Sequence, residues 1–269
     1  MNSSPFRIDH DYHIHSGLSL CSRDPEHTPQ RILQIAEKNG FSEICLTDHY
    51  WDERIPGASN WYQQQNTPHI MQAAPVPQSE NVRFYFGCET DMDKYNTIGL
   101  SGQMIEKLDF IIIPTTHMHM EGFTIEAGAS ADQRADAWVN RLWSVLNRDL
   151  PFEKIGIAHL TCSLIMRGDP LFHLDVLDKI SDQTMTEIFT LAAKRKIGIE
   201  LNFNIDAYEG EHLDRELRVY RIAKQCGCLF YLGSDAHHPE QMEKGPERMM
   251  KIVDALHLTE ADRFRIPRK

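Results

Sequence analysis

Short apolar runs alternate with longer segments of helical periodicity along most of the chain. Seven runs have the length and apolar content of buried strands: Asp11–His15, Glu43–Thr47, Arg83–Cys88, Phe110–Pro114, Ile155–His159, Gly198–Asn202 and Leu229–Gly233. Four segments between them carry apolar residues at helical spacing: Thr28–Asn39, Ala131–Asn147, Thr184–Lys196 and Leu213–Gln225. This alternation of strands and helices predicts an α/β fold built on a parallel sheet or barrel.

The segment of about residues 50–81 breaks this alternation. It contains Trp51, Trp61 and Tyr62, a run of glutamines and several prolines. We predict a long loop insertion here, after the second strand. Long loops in compact domains are often lids or binding loops, and the alternative is an insertion whose aromatic residues pack against the outside. The chain shows no internal repeat and no linker, so we predict a single domain over residues 1–269.

Composition and charge favour a soluble protein that acts on small molecules. The formal net charge of -11 opposes binding to nucleic acid, which depends on Lys and Arg side chains that neutralise phosphates. No stretch approaches the ~18 consecutive apolar residues of a membrane span, and residues 1–10 contain no apolar signal-peptide core. We therefore expect a cytoplasmic protein with no membrane partner. The six cysteines form no Cys-x-x-Cys pair and should be reduced thiols.

Histidine and carboxylate residues stand where the apolar runs end. His13 and His15 close the first strand, and Asp235 and His237 follow the seventh. Residues i and i+2 of a strand point to the same face, so each pair should project together. In α/β barrels the reactive groups gather at the carboxyl ends of the strands.

Four more segments end in the same way. They contribute Asp48 and His49, Glu89, His117, and His159. A single histidine at a strand end is more often a hydrogen-bonded core or surface residue, but six coincidences on one rim indicate a metal cluster. Imidazole and carboxylate ligands suit Zn, Mn or Fe, and a carboxylate can bridge two ions. We expect two to three divalent metal ions. Their loading should depend on pH because histidine ligands must be neutral, and activity should fall steeply below about pH 6.

These segments resemble the PHP (polymerase and histidinol phosphatase) superfamily in residue type and order. The similarity covers about residues 11–239 and rests on these motifs: Asp11-Tyr12-His13-Ile14-His15-Ser16, Leu46-Thr47-Asp48-His49, Gly87-Cys88-Glu89, His117, Ala158-His159 and Gly233-Ser234-Asp235-Ala236-His237. His-x-His alone would be a weak signal, whereas the ordered series is specific. The resemblance implies a distorted seven-stranded (β/α)7 TIM-like barrel that holds up to three metals.

The resemblance also implies a ligand set. The first ion would be held by His13, His15, Glu89 and Asp235, the second by Glu89, His117 and His159, and the third by His49 and His237. Similar proteins complete the third site with a His or Asp a few residues after the His-x-His pair. Here Cys21 has the expected spacing, and the alternative is that it is a small, inert residue. His119 competes with His117 for the second site.

The remaining histidines are not expected to be metal ligands. His10 and His238 should point away from the site if the strand alternation holds. The other five are predicted to lie on the surface: His27, His69, His173, His212 and His257.

The function implied by the resemblance is hydrolysis of a small phosphate monoester by a metal-bound hydroxide. Glu89, Asp235 and His237 would be the catalytic residues, and L-histidinol phosphate is the best named substrate. A phosphate ester also needs a cation, for which Arg167 and Arg54 are candidates, although a solvated loop arginine is the commoner case.

Two alternatives stay open. One is an amidohydrolase-like enzyme that cleaves C–N bonds, although such enzymes commonly use a lysine where Glu89 stands here. The other is a non-catalytic metal-binding module, like the PHP modules inside larger polymerases.

Overall fold

The sheet of the protein is parallel throughout and nearly closed. The computed structural model describes residues 4–268. Its strands are β1 (His10–Ile14), β2 (Glu43–Leu46), β3 (His49–Tyr50), β4 (Arg83–Thr90), β5 (Phe110–Pro114), β6 (Ile155–Ala158), β7 (Gly198–Leu201) and β8 (Leu229–Leu232). Hydrogen bonds join them in the order β1-β2-β4-β5-β6-β7-β8, and the short β3 pairs with β4 beyond the end of β2. All seven predicted strands are present.

The two ends of the sheet meet without a regular ladder. Ile14 forms a parallel bridge with Ala236, just beyond β8. The Asp11 carboxylate accepts a hydrogen bond of 2.9 Å from the backbone N–H of Ser234. These contacts connect β1 to the segment after β8 and complete a barrel-like sheet of seven strands. The predicted distorted seven-stranded barrel is therefore confirmed.

Helices connect the strands and cover the outside of the barrel. They are α1 (Pro29–Lys38), α2 (Thr67–Ile70), α3 (Gly102–Lys107), α4 (Ala131–Leu146), α5 (Phe172–Leu177), α6 (Asp182–Arg195), α7 (Gly210–Gln225) and α8 (Pro239–Ala255). The four predicted helices are present, and α1 begins as expected, with Thr28 accepting a hydrogen bond from the backbone N–H of Arg31. Within residues 4–268, no helix combines the length and the hydropathy needed to cross a bilayer.

The barrel interior is filled at its amino-terminal end. Tyr12, Phe110 and Tyr231 pack there against Phe264 and Ile266, which belong to the segment after α8. Phe264 is fixed by a backbone hydrogen bond of 2.8 Å to Phe230. Glycine makes room for these rings, because a Cβ at position 156 would lie 2.6 Å from the Phe110 ring. Access to the barrel is therefore from the carboxyl end of the strands.

The segment of residues 50–81 is a folded insertion with short helical turns. It contains α2 and two 3-10 turns, Tyr62–Gln64 and Met71–Ala73. Trp51, Tyr62 and Ile70 are buried, so the segment packs onto the barrel. Trp61 and Tyr62 lie beside His49 at the carboxyl end of the sheet. This placement is what the binding-loop interpretation requires.

Candidate metal centre

The residues predicted as metal ligands converge at the carboxyl end of the barrel. They form three groups, in each of which the donor atoms lie within 4.8 Å of one another: His13, His15 and Asp235; Glu89, His117 and His159; and His15, Cys21, His49 and His237. His15 belongs to two of these groups, and a further group of His13, His159 and Glu200 connects the first with the second. The residues lie at, or just beyond, the ends of the barrel strands. The structure thus brings the predicted ligands together, while the role of each one as a ligand stays a prediction.

Glu89 lies at the centre of this cluster and is almost completely buried. Its Oε2 is 3.3 Å from Nε2 of His15 and 3.1 Å from Nδ1 of His49. Its Oε1 faces the other way, 3.4 Å from Nε2 of His159, and has no hydrogen-bond partner among the described residues. A buried carboxylate with one oxygen toward each histidine group has the arrangement expected of a group that bridges two cations.

Unusual backbone geometry positions several of these side chains. A bulge in β1 between Asp11 and Ile14 interrupts the strand alternation, so that Tyr12 packs in the barrel interior while its neighbour His13 reaches the cluster. His159 and Asp235 have left-handed φ values of 60° and 52°. Such a conformation costs a non-glycine residue about 1–3 kcal/mol and is concentrated at functional sites.

The outward-facing ring nitrogens of the cluster histidines are held by acceptors. His13 Nδ1 lies 2.5 Å from Glu200 Oε1, and His117 Nδ1 lies 3.0 Å from Asp91 Oδ2. His237 Nδ1 lies 2.8 Å from the backbone carbonyl of Asp235. Carboxylate and carbonyl oxygens only accept, so Nδ1 carries a proton in each case and Nε2 is the nitrogen directed at the cluster, where it can bind a metal once it is deprotonated. Metal-binding histidines in proteins are oriented in this way.

Asp91 is a site residue that the sequence analysis missed. Its Oδ2 holds His117, and its Oδ1 accepts from the buried guanidinium of Arg141 at 3.2 Å. Asp91 follows Glu89 by two residues, just beyond the end of β4, and its side chain should therefore point to the same face as that of Glu89. This spacing is the signal that could have revealed Asp91. Asp48 contacts the cluster indirectly, through Ser19. Its carboxylate accepts a hydrogen bond of 2.7 Å from the Ser19 hydroxyl, and Ser19 Oγ lies 3.1 Å from Nδ1 of His15.

The histidines and carboxylates of the cluster shift one another's pKa values. Burial opposes the protonation of His13 and His15, but nearby carboxylates outweigh it. They raise the pKa of His13 well above its usual range and that of His15 to about 9. Burial likewise opposes the ionisation of Glu89 and Asp235, yet the surrounding histidines hold both carboxyl pKa values well below the usual range. The carboxylates are thus ionised at neutral pH.

The same residues suit divalent cations. The ionised carboxylates of the buried Glu89 and the partly exposed Asp235 face the ring nitrogens, and one oxygen of Glu89 lacks a partner within residues 4–268. A divalent cation would satisfy that oxygen and replace the protons on the histidines. The donor set of nitrogen, oxygen and one sulfur atom fits Zn, Mn or Fe.

The two predicted arginines are placed differently. Arg54 is turned away, because its guanidinium is bound to Asp52 at 2.6–2.8 Å and also donates to Ser101. It does not line the cavity over the cluster, so its assignment as a substrate-binding residue stays a prediction that its position does not favour. Arg167 is exposed in the loop after His159 and contributes, after burial and His117, to lowering the pKa of His119.

His117 and His119 are distinguished by the geometry. His117 belongs to the group around Glu89, whereas His119 belongs to none of the three groups. His119 instead lines the cavity, and its buried Nδ1 has no hydrogen-bond partner in the described chain. Burial, together with the charge of His117, lowers its pKa to about 4.

Two histidines predicted to lie on the surface are buried. His27 packs under the loop after β1, and His173 pairs with Glu216 at 3.2 Å between α5 and α7. His10 is also completely buried and accepts from the backbone N–H of Leu232 at 3.2 Å. The surface prediction was wrong for both. His27 stands in a polar segment that gives no sign of its burial, whereas Val176 and Leu177, three and four residues after His173, were a signal that its face of α5 is buried.

A cavity of about 420 Å³ opens over the cluster. Beyond the candidate ligands, its wall is formed largely by apolar and aromatic side chains: Trp61, Tyr62, His119, Met120 and Leu164. Neither Lys nor Arg contributes to the lining among the described residues. The cavity therefore offers a small molecule an apolar wall on one side and the cluster on the other.

Glu200→Gln is expected to weaken metal binding about 10- to 100-fold with the fold retained. Glu200 accepts from His13 and, through Oε2, from the backbone N–H of His159 at 3.1 Å. A glutamine amide has one acceptor oxygen and cannot serve both donors. Competition with a chromogenic chelator would measure the affinity, with Glu187→Gln on the exposed face of α6 as control. Equal affinity in the two variants would contradict this role for Glu200.

Comparisons with known proteins agree with this geometry. The sequence profile of the PHP domain matches residues 11–204, well over half of the chain. A comparison with curated proteins found no significant match. Among solved structures, the chain is similar to histidinol phosphate phosphatase from Lactococcus lactis complexed with zinc, L-histidinol and phosphate. That likeness has a TM-score of 0.63 and 15% identity, and it covers 96% of this chain and 99% of that one.

A second solved structure is more distant. A chain of archaeal ribonuclease P with mature tRNA aligns with a TM-score of 0.43 and 12% identity, over 92% of this chain and 89% of that one, too weakly to carry an argument. The first likeness supports the barrel fold, and the profile match defines the family. This chain belongs to the PHP domain family.

Proposed function

We propose that the protein is a metal-dependent phosphoesterase that hydrolyses small phosphate monoesters. The observation that carries the proposal is the position of Glu89, whose two buried oxygens face different groups of histidines. Membership of the PHP family supports it, as does the similarity to a phosphatase solved with zinc and phosphate. L-histidinol phosphate is the named candidate substrate, because that neighbour was solved with L-histidinol.

The side chains would divide the work as follows. His13, His15 and Asp235 would hold one cation, His117 and His159 would hold another, and Glu89 would contact both. When bound, such cations polarise phosphoryl oxygens, lower the pKa of water towards ~7 and stabilise the attacking and leaving oxygens.

The protein itself supplies orientation and charge. Asp91 and Glu200 fix the rings of His117 and His13, so that the donor atoms need not reorganise when substrate binds. The apolar wall limits the water that reaches the cluster. Arg167, exposed in the loop after His159, remains our proposed cationic contact for phosphate.

The cavity wall favours a flat or apolar leaving group. The half-buried indole of Trp61 stands 4.9 Å, centroid to centroid, from the His49 ring and lines the cavity beside Leu164. An aromatic or imidazole group could stack on this surface while its phosphate points at the cluster.

Trp61→Ala is therefore expected to raise KM for an aryl phosphate about 5- to 10-fold, which corresponds to the ~1 kcal/mol of an aromatic contact. The value of kcat should change little, since Trp61 is not a candidate ligand. Steady-state kinetics with p-nitrophenyl phosphate and glycerol phosphate would measure the effect. Trp61→Phe should retain most of the affinity, and an equal loss for both substrates would argue against stacking.

Hydrolysis of C–N bonds is less well supported. The central position is occupied by a carboxylate, and no lysine lines the cavity in the part of the chain that the structure describes. An enzyme of that class would need another bridging group here.

The proposal is tested by phosphate release before and after chelation. Purified protein would be assayed with histidinol phosphate and p-nitrophenyl phosphate, and a cyclic amide would serve as the comparison substrate. We expect chelator-sensitive phosphate release that returns with added Mn or Zn and no turnover of the amide. No phosphate release after reconstitution with Mn, Zn and Fe would overturn the proposal.

A further inference from the structure

Cys21, His49 and His237 form a group of donors distinct in chemistry from the rest of the cluster. Cys21 Sγ lies 2.9 Å from Nε2 of His237. His15 is within reach of the same group, but its Nε2 is already 3.1 Å from Asp235 and 3.3 Å from Glu89, and its Nδ1 faces Ser19. His15 is thus shared with the group of His13 and Asp235, whereas Cys21, His49 and His237 belong to this group alone. His49 Nδ1 lies 3.1 Å from Glu89, which connects the two groups.

The structure fixes this group from both sides. The Ser22 hydroxyl donates to the backbone carbonyl of His237 at 2.6 Å, and Asp24 contacts the His238 ring at 2.8 Å. These bonds tie the loop after β1 to the segment after β8 on the far side of Cys21. In addition, His237 Nδ1 donates to the carbonyl of Asp235, so the lone pair of Nε2 faces the sulfur.

The group is also open to the cavity, because all three side chains line it. An ion held by Cys21, His49 and His237 would have three protein ligands and could also meet substrate in the cavity, as the ions of catalytic zinc sites do. The other candidate ligands of the cluster offer only nitrogen and oxygen atoms.

We propose that Cys21, His49 and His237 form a thiolate-containing site that selects a borderline-soft ion, Zn²⁺ or Co²⁺, over Mn²⁺. The rest of the cluster accepts harder ions, so the protein would hold two kinds of metal site. On binding, the Cys21 thiol loses its proton to solvent and the thiolate coordinates the ion, with no change of oxidation state. This inference deepens the proposed function, but metal binding tests it independently of catalysis.

Cobalt is the probe for the thiolate. Metal-free protein would be titrated with Co²⁺ and followed by absorption, since a cobalt–thiolate bond gives a near-ultraviolet charge-transfer band and nitrogen or oxygen ligands do not. We expect the band in the wild-type protein, its loss in Cys21→Ser, and its retention in Cys162→Ser. Cys162 is partly exposed in the loop after His159 and belongs to none of the three donor groups, so it is the matched control.

Metal competition tests the selectivity. Wild-type protein should keep one Zn²⁺ in excess Mn²⁺, and Cys21→Asp should lower the preference for Zn²⁺ at that site by more than about 100-fold. A cobalt band that persists in Cys21→Ser, or the absence of a band in fully loaded wild-type protein, would overturn the inference. Loss of phosphatase activity with the band intact would instead count against the proposed function alone.

Discussion

Glu89→Gln is expected to reduce kcat/KM for a phosphate monoester by at least about 1000-fold. The substitution keeps the size of the side chain but removes the charge that faces both histidine groups. Stabilisation of transition-state charge by bound metal amounts to several kcal/mol, and each ~1.4 kcal/mol corresponds to a factor of ten. Steady-state kinetics and elemental analysis of the same samples would show whether activity and metal content fall together.

Glu187→Gln is the control for Glu89→Gln, because it makes the same chemical change on an exposed helix face. Circular dichroism would establish that both variants are folded. Full metal content and activity within tenfold of wild type in Glu89→Gln would exclude the bridging role.

Metal affinity is expected to rise about 100-fold for each pH unit from pH 6 towards pH 9 and to rise less steeply above pH 9, where His15 has already lost its proton. In the metal-free protein His13 and His15 hold protons, since neighbouring carboxylates raise both pKa values against the effect of burial, that of His15 to about 9. Each proton that the metal must displace changes the affinity about tenfold per pH unit. Glu89 and Asp235 are already ionised and add none.

The stability of the metal-free protein should decrease as the pH rises, whereas metal affinity increases. A histidine whose pKa is raised on folding stabilises the folded state fully below its unfolded pKa of about 6.5, and this contribution is lost as the pH rises through about 9. Calorimetric titration with Mn²⁺ in buffers of different ionisation enthalpy would count the released protons. Binding without proton release would contradict the ion-paired arrangement of the metal-free cluster.

Much of the centre could be predicted from sequence because its residues sit at strand ends. The strand period of two places His13 with His15, and the rule that parallel strands end on one edge brings Glu89, His117 and His159 to them. The β1 bulge was not predictable, because it inserts an irregularity that leaves no mark on the apolar pattern.

Other features depend on contacts between distant segments. α8 escaped prediction because Gly245 and Pro246 lie within it and interrupt its helical signal. Arg54 is held by its near neighbour Asp52 and by Ser101 and Gln103, and no sequence pattern connects Arg54 with these last two residues. Asp91 and Glu200 contact His117 and His13 at Nδ1, the ring nitrogen that faces away from the cluster, so residue type alone does not reveal their role.

The filled amino-terminal end of the barrel has a kinetic consequence. Phe264 and Ile266 close that end of the barrel. Substrate must therefore enter, and both products must leave, through the opening at the carboxyl end of the strands. Under the proposed function the alcohol lies nearer this opening and phosphate lies against the cluster. We therefore expect ordered departure, alcohol first and phosphate last, with inorganic phosphate competing with substrate for the free enzyme.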